Sequence, residues 1–270
     1  MLSNVSRWLT YLTAILYAIL GSSLFFLSER LAPVFAWKVT PFMTATMGGW
    51  CIGNAFSAFI SARRWDWKLV YPALIYLWMF GVAELIVLIV FRDKLTLQHP
   101  VAWLYFITIC INALTAIVGV YDLLRIKPRS ESFGPQAKSY HYVLIGGFVI
   151  IVVGLAIYGL YAQIGDVGTN GGVFPEVMSL FTLRAFAAFY LSLSVSAAVG
   201  LRERNLLALL NYGFSSYLLV AAITAAIFVY LHLFDFANHP GQLIYVGAYF
   251  LVGIPLTITL LREGTGLRPA

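Results

Sequence analysis

Eight apolar runs, each long enough to cross a hydrocarbon core of roughly 30 Å, alternate with short polar stretches along the chain. They cover Trp8 to Leu27, Pro41 to Ala62, Leu69 to Phe91, Pro100 to Leu124, His141 to Gln163, Met178 to Gly200, Leu206 to Leu233 and Gln242 to Leu261. Each predicts a transmembrane helix, and the fold class that follows is an all-α polytopic membrane protein with eight spans. The first run follows a single Arg7. Its length fits a retained helix better than the short core of a cleaved signal.

Within the second run, Ala45, Gly49, Gly53, Ser57 and Ser61 recur at every fourth position. In a helix they form one row of small side chains against which a neighbouring helix can come close. The row returns 139 positions later as Arg184, Ala188, Ser192, Ser196 and Gly200. Gly49, Gly53, Ser57, Ala188, Ser192 and Ser196 are therefore the candidate helix-packing residues. A second landmark repeats as well: His99, Pro100 and Tyr105 against His239, Pro240 and Tyr245, displaced by 140. One inserted residue between the landmarks accounts for the difference.

The polar stretch Arg125 to Tyr140 is punctuated by proline and glycine as a linker is. It divides the chain into a first four-helix half, residues 1–127, a linker over 128–140, and a second four-helix half, residues 141–270. Four spans return the chain to its starting side, so the two tandem halves point the same way. That predicts a pseudo-two-fold along the membrane normal rather than an inverted repeat; chance likeness between apolar sequences is the alternative.

Charge tests the count. With eight spans, twelve basic residues fall on the side of the termini and four on the other. By the positive-inside rule both termini are cytoplasmic, and the expected location is the plasma (inner) membrane. Composition agrees: 61% of the residues are hydrophobic and 10% charged, against about a quarter charged in soluble domains. A net charge of +6 then reads as contact with anionic lipid, not nucleic acid.

Chemistry-bearing residues are few. Inside the runs the side chains charged in water are Glu84 and Arg184, each costing about 2.5 to 3.5 kcal/mol near a helix centre. Counted from the ends of their runs they lie at one depth, which makes them a candidate intramembrane pair and the candidate substrate-binding residues. The competing reading has Arg184 reaching the headgroups and Glu84 protonated among apolar neighbours. The four histidines sit at helix ends, so neither haem nor a metal is anticipated and the cofactor expectation is none. Cys51 and Cys110 lie inside apolar runs and read as packing residues. Most of the seven tryptophans fall near run ends, where an interfacial belt accounts for them. The glycine-rich stretch Gly165 to Val177 reads either as a mobile cover or as a plain connection.

No nucleophile, acid-base pair or nucleotide motif suggests an enzyme. Two functions stay open: a transporter or permease-like protein binding a small-molecule solute in an outward-facing cavity between its halves, and a non-catalytic subunit of a larger membrane complex. The partners are accordingly the lipid bilayer and either a solute or another membrane protein.

Overall fold

The computed structural model describes residues 2–128, 135–163 and 172–265. These form nine α-helices: α1 Asn4–Phe26, the short α2 Ser28–Leu31, α3 Pro41–Arg64, α4 Trp67–Val90, α5 Pro100–Ile126, α6 Ser139–Tyr161, α7 Leu180–Gly200, α8 Leu206–Val229 and α9 Gln242–Glu263. The starts follow local chemistry. Ser3, Thr40, Asp66, Ser179 and Asn205 each accept a hydrogen bond from an otherwise orphaned N–H of the turn they open. Pro41 and Pro100 sit in first turns, where a missing N–H costs nothing.

Among the described residues seven helices are long and apolar enough to cross a membrane: α1 and α4 to α9. This is the make-up of an all-α multi-pass membrane protein. The helix outside that set is α3, whose 24 residues include Thr44, Thr46, Asn54, Ser57 and Ser61. Its hydropathy is low because its surroundings are protein: it is packed against α1, α2, α4 and α8, and those five polar side chains are all buried. Lipid-facing apolarity is instead concentrated on α6 and α9, where Val143, Ile150, Leu251 and Leu261 stand exposed.

Helices α1, α3, α4 and α5 pack as α1 on α3, α4 on α5 and α1 on α5, with α3 also touching α4. Helices α6 to α9 pack as α6 on α7, α8 on α9 and, sparsely, α6 on α9. The two groups join through α3 on α8, α4 on α7 and α4 on α8. Contacts at the helix ends fix the directions. At one end, here basal, Ser3 and Ser6 bind Asp122, Arg7 Nε donates to the Ala62 carbonyl and Tyr71 binds Glu203. The same end holds Lys138 and Tyr140 against Glu263. At the other, apical end Ser28 meets Tyr230, Thr40 meets Glu176 and Trp37 meets Thr182.

Two expectations are corrected. Trp50 and Trp78, deep in their runs where packing is expected, are buried, but so are Trp37, Trp65 and Trp67 near run ends, leaving Trp8 and Trp103 exposed; an interfacial belt does not account for those three. Two of them have interior partners instead: Trp37 Nε1 donates to Thr182 and Trp65 Nε1 to the Leu2 carbonyl. The centre of the bundle, where an outward-facing cavity is anticipated, is filled by rings: Trp50 stacks on Phe189 at 4.5 Å and 9°, and Phe186 meets Trp50 edge-on at 4.4 Å.

Candidate functional site

Glu84 is fully buried on α4. Its Oε2 accepts a hydrogen bond of 3.2 Å from the Tyr105 hydroxyl of α5, and its Oε1 has no partner. Tyr17, Cys51 and Tyr76 lie within electrostatic range of the carboxyl. Around it runs a polar chain: Asn112 Nδ2 donates to the Tyr17 hydroxyl at 2.8 Å and to the Leu77 carbonyl at 3.0 Å, and Tyr76 donates to Asn54 Oδ1 at 2.6 Å. Asn112 Oδ1 and Asn54 Nδ2 stay unpartnered. Unpaired buried polar atoms cost about 1–3 kcal/mol each and are rare enough to call for a reason. Among the described residues eight such atoms lie in one helix quartet, α1, α3, α4 and α5, on Thr46, Trp50, Asn54, Ser57, Ser61, Trp78, Glu84 and Asn112, and three of the eight belong to this polar chain.

Aromatic rings roof this cluster apically. The segment after α2 turns inward, and Phe35 and Trp37 both pack on Tyr105 with centroids 5.2 Å away. Trp37 stacks on Phe181 of α7 at 4.0 Å and 9°, and its Nε1 donates to Thr182 at 3.0 Å. Beside the roof, Glu176 accepts from the Thr40 hydroxyl. Burial holds the Glu176 carboxyl above the usual range, partly offset by that hydrogen bond.

Glu84 and Arg184 are not brought together. Arg184 Nη1 donates to the carbonyls of Gly159 and Ala162, at 2.9 and 3.0 Å. These lie at the end of α6, where the last carbonyls lack helical partners and the dipole favours a cation. So Arg184 closes α6, while Glu84 faces α5.

The small-residue rows meet other helices. A Cβ built on Gly53 would lie 2.5 Å from Leu219 Cα, and one on Gly49 would lie 3.0 Å from the Ile223 side chain, so α8 comes close to the α3 backbone. Ser57 is buried on the same helix. On α7, Ala188 and Ser192 are buried, Ser192 bonding back to the Ala188 carbonyl, and Ser196 Oγ donates to the Pro72 carbonyl of α4 at 2.6 Å.

Tyr17, Asn54, Tyr76, Tyr105 and Asn112 are absent from the reading of the sequence as site residues. The two asparagines carried the available signal, since an amide within an apolar run needs a partner. Of the Gly165 to Val177 stretch, residues 165–171 lie outside the described residues, and the part that follows is packed, with Phe174 fully buried against Phe186 and Tyr245. Among the described residues no three His, Cys, Asp or Glu side chains group as metal ligands would.

The class defined by this fold is a multi-pass α-helical membrane protein. No protein-family model, curated protein or solved structure matches the chain.

Proposed function

We propose that the chain is a transporter or permease-like protein that takes a small cationic solute at Glu84. The observation that carries this reading is the pair of unpartnered acceptors, Glu84 Oε1 and Asn112 Oδ1, buried in one helix quartet with Tyr17 and Tyr105. Two unpaired acceptors, one of them on a carboxyl group, outweigh the unpaired Asn54 Nδ2 donor and favour a positive guest, an alkali cation or a protonated amine. Phe35 and Trp37 would then hold the site shut from the apical side.

An architecture of eight spans in two tandem halves supports the reading, since solute sites of such folds lie near the midplane. Counting α3 as the eighth span is supported by Thr40 meeting Glu176 at the apical end and the Ala62 carbonyl taking Arg7 at the basal end. A pseudo-two-fold demands that equivalent positions exchange partners. Trp50 and Phe189, 139 positions apart, stack on each other. Phe42 packs on Tyr230 at 5.8 Å, and the positions 139 away reverse the roles, Phe181 packing on Phe91 at 5.1 Å. The proposed setting remains the plasma (inner) membrane with both termini cytoplasmic.

The test is thermal unfolding of the purified chain with sodium, potassium or methylammonium chloride at one ionic strength. A ligand that binds the folded state raises its stability by RT ln(1 + [L]/Kd). One of the three should raise the Tm of the wild type and leave Glu84→Gln unmoved; no shift from any of them would defeat the proposal. The subunit reading is favoured by the ring-filled centre. It predicts a stoichiometric partner protein in native mass spectrometry after mild detergent extraction.

A further inference from the structure

The geometry points to a second site, a laterally open slot in α6 to α9 that holds one acyl chain of an anionic phospholipid. A cavity of about 390 Å³ lies among these four helices, within the roughly 300–1,000 Å³ of small-molecule pockets. Its wall is apolar, with Phe148 and Val152 from α6, Leu193 from α7, Val220 from α8 and Val252 and Leu256 from α9.

The slot sits where the first quartet is closed. Between α1 and α5, the places of α6 and α9 in the packing scheme, Thr13 bonds Thr115 at 3.0 Å and Tyr17 bonds Asn112 at 2.8 Å. Ser3 and Ser6 hold Asp122 below them. Among the described residues the polar ties between α6 with its cap and α9 are all at the basal end, where Glu263 takes Lys138 at 3.4 Å and Tyr140 at 2.5 Å. Above that clamp the cavity-lining side chains of α6 are apolar, those of α9 are apolar apart from Tyr249 and Thr259, and the two helices touch only sparsely. The exposed residues Val143, Leu144 and Leu251 line the gap, on a face that meets hydrocarbon in a membrane. Opening to the side, not to water, suits a guest that arrives through the bilayer.

Two features at the basal mouth select an anionic ester lipid over a plain hydrocarbon. The first is His141, 5% exposed and part of the cavity wall, whose Nε2 is buried and unpartnered. Its Nδ1 accepts the Lys138 N–H at 3.1 Å, closer than the Lys138 carbonyl at 3.3 Å. With Nδ1 as acceptor, the neutral ring carries its proton on Nε2. A buried, unpartnered donor on a residue of the slot's wall asks for an acceptor, and an ester carbonyl or phosphate oxygen supplies one. The second is charge. Tyr142, next along α6, lines a shallow depression with Leu201, Arg202 and Arg204. Both arginines are exposed, and Arg262 stands at the end of α9. Among the described residues two acids stand against these, Glu203, which accepts from Tyr71 and from the Asn205 N–H, and Glu263, held by Lys138 and Tyr140. The surplus at the mouth is positive, complementary to a phosphate headgroup.

The test uses native mass spectrometry of the full chain in mild detergent, offered equal amounts of phosphatidylglycerol and phosphatidylcholine with matched acyl chains. The wild type should retain phosphatidylglycerol about tenfold over phosphatidylcholine. Gly147→Phe fills the slot from α6, where an added Cβ meets nothing within 4 Å, and should lower retention about tenfold. Val252→Phe fills it from α9 and should do the same, so a folding fault in one variant leaves the other to decide. Gly154→Phe, equally uncrowded but off the cavity wall, should retain lipid like the wild type. Arg202→Gln with Arg204→Gln should narrow the preference between headgroups. Equal retention of both lipids by the wild type overturns the proposal, as does unchanged retention in the two filled variants. A stoichiometric protein displaced by Gly147→Phe would also overturn it, because the slot would then be a protein interface.

Discussion

Gly53→Ala adds one methyl group where α3 meets α8, and the structure fixes what that methyl meets. The new Cβ would lie 2.5 Å from Leu219 Cα and 2.8 Å from Leu219 Cγ. The first is a backbone atom, so rotating the leucine cannot relieve the contact and the helices must move apart. Overpacking of this kind costs about 1–3 kcal/mol. Alanine also gains about 0.8–1.0 kcal/mol over glycine in helix propensity, which would blur a single measurement. Gly154→Ala removes the ambiguity: it makes the same change in the same kind of element, with nothing within 4 Å of its Cβ. The propensity gain cancels between the two variants, leaving a gap of about 1–3 kcal/mol. At about 2–4 °C per kcal/mol for chains of this size, Gly53→Ala should melt roughly 2–12 °C below Gly154→Ala. A thiol-reactive dye reads this in a Cys110→Ser background, where the buried Cys51 reports opening of α3 itself. Leu219→Ala should rescue only part of the loss, since it removes Cγ and keeps Cα. Equal melting of the two glycine variants would refute the close approach of α3 and α8.

Two further predictions concern charge. Arg184→Gln removes the charged donor at the end of α6 and should cost about 1.5–3 kcal/mol; combined with Glu84→Gln the losses should add within roughly 0.5 kcal/mol, and a coupling above about 1 kcal/mol would reinstate a direct pair. Glu176 keeps its proton more readily folded than unfolded, so the folded state binds more protons and stability falls as pH rises from the ordinary value of 4.5 through the raised one. Glu176→Gln should flatten that part of a Tm-against-pH curve, and an unchanged slope would count against its burial.

How the sequence both guided and misled is clearest on α7. The row Arg184, Ala188, Ser192, Ser196 is real, yet a row of every fourth residue winds about 40° around the helix per step. Over three steps that is roughly a third of a turn, so Ser196 reaches α4 while Arg184 reaches the end of α6. Equal depth and opposite charge could not reveal which neighbour each side chain faces. Helix starts were legible at Pro41, Pro100 and Leu206, where first-turn prolines and the Asn205 cap decide; α8 ends four residues early, its last predicted turn tightening into a short 3₁₀ turn over Leu231–Leu233. The slot in the second quartet left no trace, because Val152 and Val252 read as ordinary lipid-facing or core residues. Only comparison with the tyrosine and asparagine joining α1 to α5 exposes it.

The polar content of α3 also bears on how the chain is made. Its partner α1 leaves the ribosome first, but α8, which covers Gly49 and Gly53, is complete only at residue 229. At about 5–20 residues per second, translation from the end of α3 to the end of α8 takes on the order of ten to thirty seconds. Throughout that interval Ser57 and Ser61, on the row of Gly49 and Gly53, have no α8 to shield them from lipid. A helix too polar to be stable alone in hydrocarbon must therefore be held by α1, or by an insertion factor, until the second half of the chain arrives to claim it.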